Sequence, residues 1–174
     1  MANQKGGVGK TTTCVNLAAS LSAMGQRVLL VDLDPQGNAT MGSGIDKYAV
    51  ERSVYDVLVS LAPVAEVASR VPGGGFDVVP ANGDLTAAEV ELLELEGREA
   101  RLRSALHDVL ERYDYILIDC PPSLNMLTLN GLVAADGVLI AMQCEYFALE
   151  GLTALMETIA GVAQSTQSNL ELEG

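Results

Sequence analysis

Continuous apolar runs of strand length alternate with stretches of helical pattern along this 174-residue chain. Residues 27–32 (RVLLVD) would present apolar side chains on both faces, as a strand buried in a parallel sheet does. Similar runs recur at intervals, and the predicted strands are residues 27–32, 76–80, 115–119 and 137–143. A further element is expected to start at Leu170, after a polar stretch.

Helical spacing and capping residues predict the elements between these runs. In residues 11–24 the apolar side is periodic and Gly25 follows as a typical C-terminal stop. Ser53 is a good N-cap for the next helix. The predicted helices are residues 11–24, 53–60, 63–71, 84–93, 99–112, 124–134 and 149–164. Residues 33–40 are predicted to be a loop, and the three glycines at 73–75 a plain turn because no lysine or helix cap follows them.

Strands that alternate with helices at this spacing predict an α/β fold, a doubly wound, mostly parallel sheet flanked by helices. The chain shows no internal repeat and no linker, so residues 1–174 are predicted to form one domain. Binding sites in such sheets lie at the carboxyl ends of the strands. The chemistry is therefore expected in the segments that follow the strands.

The glycine-rich segment before the first helix, residues 5–12 (KGGVGKTT), carries the clearest chemistry. Glycines let successive backbone N–H groups point inward at phosphate oxygens, and the following helix N-terminus favours negative charge. Lys10 would reach the outer phosphates and the Thr11 hydroxyl would bind magnesium. The alternative is a glycine-rich turn with solvated lysines, but the glycines, the Lys-Thr pair and the helix coincide here.

This segment departs from the ordinary phosphate-binding pattern at one position. The pattern has a glycine where Gln4 stands, and a second lysine, Lys5, lies inside the loop. Like charges at close range repel unless an anion lies between them. Lys5 beside Lys10 therefore indicates a highly charged ligand such as a nucleoside triphosphate.

Two other strand ends carry carboxylates. Asp119 closes the apolar run 115–119, where a magnesium-nucleotide site needs an acid, although many strands end in aspartate for turn formation alone. Asp32 closes the run 27–32 and Asp34 follows it, and Pro35 would fix the direction of the Asp34 carboxylate. A simple turn would also explain Asp34-Pro35. Two acids with Gln36 in one loop favour a role in orienting water.

Composition narrows the class of protein. The net charge of −13, with only ten basic residues, does not favour DNA binding by itself. Arginines in the predicted helix 99–112 and at Arg98 are interleaved with acids, which is typical of a solvated face. Three cysteines without metal-ligand spacing fit reduced thiols in a cytosol. No signal peptide is predicted, and the longest apolar stretches are strand-sized, so no membrane span is expected.

The chain resembles the ParA/Soj family of plasmid and chromosome partition ATPases, in the deviant Walker A class of P-loop NTPases. The resemblance covers essentially the whole chain and is carried by ANQKGGVGKTTT, VDLDPQGNAT, ILIDCPPSLN and MQCEYFALEGL. MinD and the nitrogenase iron protein belong to the same class, but DPQGN and DCPPS look like ParA/Soj. Cys120 adjoins Pro121, so no iron–sulfur cluster is expected.

The resemblance implies roles for individual residues. Lys5 matches the signature lysine that reaches the nucleotide of a partner subunit, Asp34 the switch aspartate tied to hydrolysis, and Asp119 the Walker B acid; these are the predicted catalytic residues. Thr11 and Asp119 are the predicted magnesium ligands. The predicted ATP contacts are Gly6, Gly7, Val8, Gly9, Lys10, Thr11 and Thr12.

The resemblance also implies partners. Two subunits would sandwich two ATP molecules, and this homodimer would bind DNA non-specifically until a ParB-type partner stimulates hydrolysis. The family is cytoplasmic and nucleoid-associated. Glu145 and Tyr146 follow the last predicted strand, where contact with the nucleotide or the dimer interface is conceivable.

The two ends of the chain depart from the family pattern. Only residues 1–4 precede Lys5, so we expect most of the first strand to be missing, and family chains continue well past Gly174 into the region that carries the basic DNA surface. These departures leave two alternatives open. One is a fragment that binds nucleotide or pairs with another subunit without turnover. The other is a MinD-like membrane-cycling ATPase, which needs a C-terminal amphipathic anchor that residues 170–174 cannot supply.

Overall fold

The computed structural model describes residues 1–3, 6–142, 148–166 and 170–173. Helices and strands alternate along the chain in the order α1 (Lys10–Ala23), β1 (Val28–Asp32), α2 (Asn38–Gly42), α3 (Val54–Val59), α4 (Val64–Val67), β2 (Ser69–Arg70), β3 (Asp77–Val79), α5 (Leu85–Glu91), α6 (Arg101–His107), β4 (Tyr115–Asp119), α7 (Met126–Ala134), β5 (Gly137–Val138), α8 (Ala148–Thr166) and β6 (Glu171–Leu172). Short 3-10 turns at Leu92–Glu94 and Leu110–Arg112 follow α5 and α6.

The main sheet has four strands in the order β2-β3-β1-β4. The central strand β1 is parallel to both neighbours, and its register with β4 runs from Val28 opposite Tyr115 to Asp32 opposite Asp119. Only the two-residue β2 is antiparallel, in a hairpin with β3 through the turn that contains glycines 73–75. The predicted α/β class with a mostly parallel sheet is therefore confirmed.

Helices cover both faces of this sheet, which makes it doubly wound. Side chains alternate along β1: Leu29 and Val31 pack into a cluster with α3 to α7, whereas Val28 and Leu30 pack into a second cluster with α1. All five residues of β1 are buried. A strand covered on both faces needs apolar residues at every position, which explains why the run 27–32 does not alternate.

The first three residues join the main sheet to a smaller one. Cys120 N donates to Met1 O (3.2 Å), and Ala2 N donates to Leu139 O (3.1 Å). Ala2 forms a single parallel bridge with Ile140. Beyond it, β5 and β6 pair in parallel. Among the described residues, the segment before the glycine loop therefore forms a single β-bridge. Its backbone is hydrogen-bonded to Cys120 on one side and to Leu139 on the other.

Local sequence explains several helix ends. Ser53 caps α3 as predicted: its hydroxyl accepts from Tyr55 N (3.2 Å), while Asp56 accepts from Ser53 N (2.8 Å). At the other end of α3, the Arg101 guanidinium donates to the carbonyls of Leu58 and Val59. The interpretation of Arg101 as part of a solvated face is therefore wrong, because it satisfies helix carbonyls that α3 cannot bond itself.

Other predicted boundaries need correction. The helix predicted over 63–71 is only Val64–Val67, because the chain turns outward into β2. The loop predicted over 33–40 contains the start of α2. The helix predicted over 99–112 is interrupted between His107 and Leu110. The strand predicted over 137–143 is regular only at Gly137–Val138, and Gln143 lies outside the described residues. Among the described helices, none has the length and apolarity to cross a membrane.

Candidate functional site

The glycine loop leads directly into α1 at the carboxyl edge of the sheet. Gly7 and Gly9 have φ of 76° and 91°, a left-handed conformation that residues with a Cβ adopt only with strain. Gly9 is the N-cap of α1, and its carbonyl accepts from Thr13 N (2.8 Å). A Cβ built on Gly6 or Gly7 would meet no atom within 4 Å. The backbone of the loop is therefore accessible to a ligand from outside.

The N-terminus of α1 follows this loop directly and carries positive charge. No acidic residue occupies the first turn of α1, and the N-cap residue supplies no side-chain hydrogen bond. The partial positive charge of a helix N-terminus is thus not neutralised by the first turn itself. Lys10, the first residue of α1, adds a full charge and is only 7% exposed. This end of the helix is suited to an anion.

Thr11 and Asp119 meet at the centre of the site. The Thr11 hydroxyl donates to Asp119 Oδ2 at 2.6 Å, which joins the start of α1 to the end of β4. Asp119 is fully buried, and its second oxygen, Oδ1, has no hydrogen-bond partner. No other buried side-chain nitrogen or oxygen in the described ranges lacks a partner. A buried carboxylate oxygen left in this way is costly unless something binds it.

The electrostatics of Asp119 reflect this arrangement. Burial raises the pKa of Asp119 above its ordinary value, and the hydrogen bond from Thr11 opposes that shift. The charge of Asp34 raises the pKa further and that of Lys10 lowers it, so both groups lie within electrostatic range. A cation at Oδ1 would favour the ionised carboxylate. Thr11 and Asp119 are thus in direct contact, and Lys10 and Asp34 lie within electrostatic range of Asp119.

The donor set fits a magnesium ion that a phosphate ligand helps to hold. Thr11 and Asp119 offer a hydroxyl and a carboxylate oxygen, the hard ligands that Mg²⁺ prefers. No group of three or more His, Cys, Asp or Glu side chains in the described part of the chain could hold a metal by itself. Magnesium bound by one carboxylate usually takes its remaining ligands from water and substrate phosphates.

Asp34 lies in the loop after β1 and is half-buried. Its carboxylate Oδ1 accepts from Gln36 N (2.9 Å), and its carbonyl accepts from Gly37 N (2.8 Å), so the residue opens a tight turn through Pro35. The alternative of a turn starter is therefore correct as local structure. It does not exclude chemistry, because Asp34 also lies in range of the charge on Asp119.

Asp32 is the buried acid whose contacts the sequence did not predict. Its carboxylate accepts from Thr40 N and Thr40 Oγ1 (both 2.8 Å) and from Asp34 N (3.1 Å). Burial raises the pKa of Asp32 to about 6, although these hydrogen bonds oppose the shift. The available signal was its position, since Asp32 ends an apolar strand as Asp119 does. Nothing in the sequence pointed to Thr40.

The segment after β4 is also held by side chains. Asn125 caps α7 by accepting from Thr128 N (3.1 Å), and its amide donates to Glu89 on α5 (2.6 Å). Thr128 Oγ1 donates to Ser123 O (2.6 Å). These contacts fix residues 121–125, directly after Asp119, against the helices on one face of the sheet.

Some predicted site residues carry less structural information. Thr12 is exposed in the first turn of α1, and Val8 is half-buried in the glycine loop. Lys5, Glu145 and Tyr146 lie outside the described residues, so their predicted roles stay predictions. Cys14 and Cys120 are free and buried, and burial raises the pKa of both thiols, that of Cys14 to about 12. A raised thiol pKa leaves less of the reactive thiolate at neutral pH, and the expectation of reduced cysteines stays a prediction.

Comparison with known proteins shows which family this chain is similar to. A family model described as an AAA domain matches residues 1–172. The chain is 54% identical over 172 residues to the sporulation initiation inhibitor protein Soj of Bacillus subtilis, covering 99% of this chain and 68% of Soj. It is 52% identical over 176 residues to the chromosome partitioning protein ParA of Caulobacter vibrioides, covering 100% of this chain and 66% of that protein. The chain thus spans about two thirds of the length of these curated relatives.

Solved structures share the fold over nearly the whole chain. A structure of cobyrinic acid a,c-diamide synthase from Mycobacterium smegmatis, with a bound ATP analog and magnesium, matches with a TM-score of 0.94 and 46% sequence identity. The match covers 98% of this chain and 70% of that one. A close structural relative therefore binds the two ligands that the loop and the Thr11–Asp119 pair would accommodate.

Proposed function

The chain belongs to the ParA/Soj family of P-loop ATPases, and from this membership we propose that it binds ATP with magnesium and hydrolyses it. The observation that carries the proposal is the contact between Thr11 and the buried Asp119, whose unpartnered carboxylate oxygen lies in electrostatic range of Lys10. The site belongs to one nucleotide-binding domain over residues 1–174.

Different residues of this chain would bind the phosphates and the magnesium ion. The backbone N–H groups of the glycine loop and the N-terminus of α1 bind phosphate oxygens, and Lys10 neutralises the outer phosphates. Thr11 and Asp119 hold magnesium together with those phosphates. Magnesium supplies charge neutralisation on the phosphate oxygens during phosphoryl transfer. Thr12, next along the helix, contacts a phosphate.

Asp34 is the residue that we assign to turnover. Its loop is attached to the end of β1, and its carboxylate lies within electrostatic range of Asp119, so it is suited to orient a water molecule near the phosphates. Lys5 acts across a dimer: its charge opposes the approach of a second lysine-containing loop unless the γ-phosphate lies between them. Dimerisation thereby depends on ATP.

The biological role follows from the relatives. The relatives named chromosome partitioning protein ParA support a role in chromosome partition, and we propose the same process here, with a ParB-type protein that stimulates hydrolysis. Non-specific DNA binding is not proposed for residues 1–174 by themselves, because their net charge is −13. The proposed location is the cytoplasm, in association with the nucleoid.

Phosphate release from ATP and magnesium tests this function. Wild-type protein is expected to release phosphate, and Asp34→Ala to lose that activity while it still binds ATP. Asp108→Ala is a matched control, since Asp108 is highly exposed and lies at the C-terminus of α6. Lys5→Ala should retain binding by the monomer and lose the ATP-dependent dimer, measured by light scattering. ATP binding without phosphate release in wild type would instead favour a binding fragment without turnover.

A further inference from the structure

The carboxylate of Asp32 is buried at the carboxyl end of β1. It lies beside the predicted site residues, although it was not itself predicted to be one. It is 0% exposed and no cation contacts it among the described residues; its charge is met by three N–H and O–H donors. Two of these donors belong to Thr40 and the third is Asp34 N. Burying a charge is costly, so the three hydrogen bonds compensate part of the cost of placing it here.

Thr40 extends this network to another strand. The hydroxyl that donates to Asp32 Oδ2 also accepts from Ala81 N (2.9 Å), just after β3. The loop approaches the same segment at Gly37, where a Cβ would lie 2.8 Å from Ala81 O. Gly37 also has φ of 62°, so both its conformation and its space exclude a side chain. The loop is thus closely packed between two strand ends.

The network encloses Asp34. Asp32 lies two residues before Asp34 and binds its N–H, while Thr40 lies six residues after it and is bound to the same carboxylate. The Asp32 carboxylate therefore links the beginning of the loop, at Asp34, to its end, at Thr40. With Asp34 Oδ1 engaged by Gln36 N, the direction of the Asp34 carboxylate depends on how this loop is closed.

We propose that Asp32 and Thr40 are positioning residues that hold the Asp34 loop at the site and tie it to the end of β3. This proposal rests on the proposed function, because it takes Asp34 to act in ATP hydrolysis. Both side chains are fully buried and would not contact a bound phosphate, so their loss affects the rate of hydrolysis more than the affinity for ATP. An error of about 1 Å in the position of a catalytic group can cost on the order of 100-fold in rate.

Amide hydrogen exchange in the wild-type protein is the first test, and it needs no nucleotide. The amides of Asp34, Thr40 and Ala81 are expected to exchange slowly and on a similar timescale, because one network holds all three. Thr40→Val removes the hydroxyl at nearly constant volume, and should accelerate exchange at Ala81 and Asp34. Thr40→Ser is the matched control, because it retains the hydroxyl and should preserve protection. Exchange of all three amides at unprotected rates in wild type would overturn the proposal.

Measurement of kcat distinguishes a positioning role of Thr40 from a purely structural one. Thr40→Val is expected to lower kcat by about 10–100-fold with little change in the calorimetric Kd for ATP, and Thr40→Ser to restore kcat. Asp32→Asn is a second variant that keeps the shape of the side chain and loses one acceptor. Wild-type kcat in folded Thr40→Val, or an equal loss in Thr40→Ser, would overturn the proposal. If wild type neither binds nor hydrolyses ATP, the proposed function fails, and amide exchange alone decides whether Asp32 and Thr40 hold the loop.

Discussion

Gly131 on α7 is in contact with the strand end that carries Asp119, and replacing it with alanine should strain that contact. A Cβ at this position would lie 2.8 Å from Cys120 Sγ, 3.2 Å from Leu33 Cδ1 and 3.4 Å from Ile118 Cγ2. The first distance is shorter than real Cβ contacts, and Cys120 is itself buried, so its sulfur has little space to move. Gly131→Ala therefore forces α7 and β4 apart or rotates the Cys120 side chain.

The magnitude follows from two opposing contributions. Overpacking a well-packed core costs about 1–3 kcal/mol, whereas alanine is better than glycine inside a helix by about 1 kcal/mol. We expect Gly131→Ala to lower the free energy of unfolding by about 1 kcal/mol, or roughly 2–4 °C in Tm. Gly161→Ala on α8 is the matched control, because a Cβ there would meet nothing within 4 Å. It should raise the free energy of unfolding by up to about 1 kcal/mol.

A double-mutant cycle with Cys120→Ala makes the reasoning testable by urea denaturation. Cys120→Ala alone removes a buried sulfur and should cost about 1–2 kcal/mol. The alanine Cβ at position 131 can then occupy the space that the sulfur left. The double variant should thus be more stable than the sum of the single changes predicts, with a coupling of about 1–3 kcal/mol. Strictly additive costs, or stabilisation by Gly131→Ala alone, would refute the packing argument.

Three further predictions concern the stability of the fold. Asn130 is fully buried and makes three hydrogen bonds, one of them from Leu102 N, so Asn130→Ala should cost about 3 kcal/mol in urea denaturation; a loss below 1 kcal/mol would contradict this. The hydrogen bonds from Arg27 lower the pKa of Asp114 to about 2, so this pair stabilises the fold above pH ~4 and its contribution is lost as the pH falls through about 2. Carboxyl NMR titration should show the Asp114 pKa rising towards its ordinary value in Arg27→Gln, and an unchanged pKa would exclude this cause. Ser53→Ala removes the cap of α3 and should lower the free energy of unfolding by about 1 kcal/mol, whereas an unchanged value would show that the cap hydrogen bond contributes nothing.

Elements with a strong local signal were predicted from the sequence. The strand Tyr115–Asp119 was predicted to the residue, because an apolar run bounded by polar residues has no competing interpretation. The helix ends at Ser53 and Gly25 follow from capping chemistry within a few residues. The 63–71 segment was mispredicted because pairing of Ser69–Arg70 with β3 overrides a weak helical pattern. Such pairing depends on a distant strand, which local periodicity does not report.

The site was predicted as a set of residue types but not as a network. The spacing of the glycines, Lys10 and Thr11 identifies the loop, since each residue has a separate chemical task. The contact between Thr11 and Asp119 spans 108 positions and depends on α1 starting beside the end of β4. The contacts of Asp32 with Thr40, and of Thr40 with Ala81, likewise join separate elements. Only the assembled sheet edge brings these groups together.

Calorimetric titration of ATP into the 174-residue chain, with and without magnesium, tests the central claim most directly. The account predicts binding by wild type that weakens when magnesium is removed and is abolished in Lys10→Ala, with the fold of the variant checked by circular dichroism. Asp119→Asn should lose the dependence on magnesium, because it replaces the carboxylate that would hold the ion. A folded wild-type chain that binds no ATP, or a Lys10→Ala variant that binds as tightly, would contradict the account.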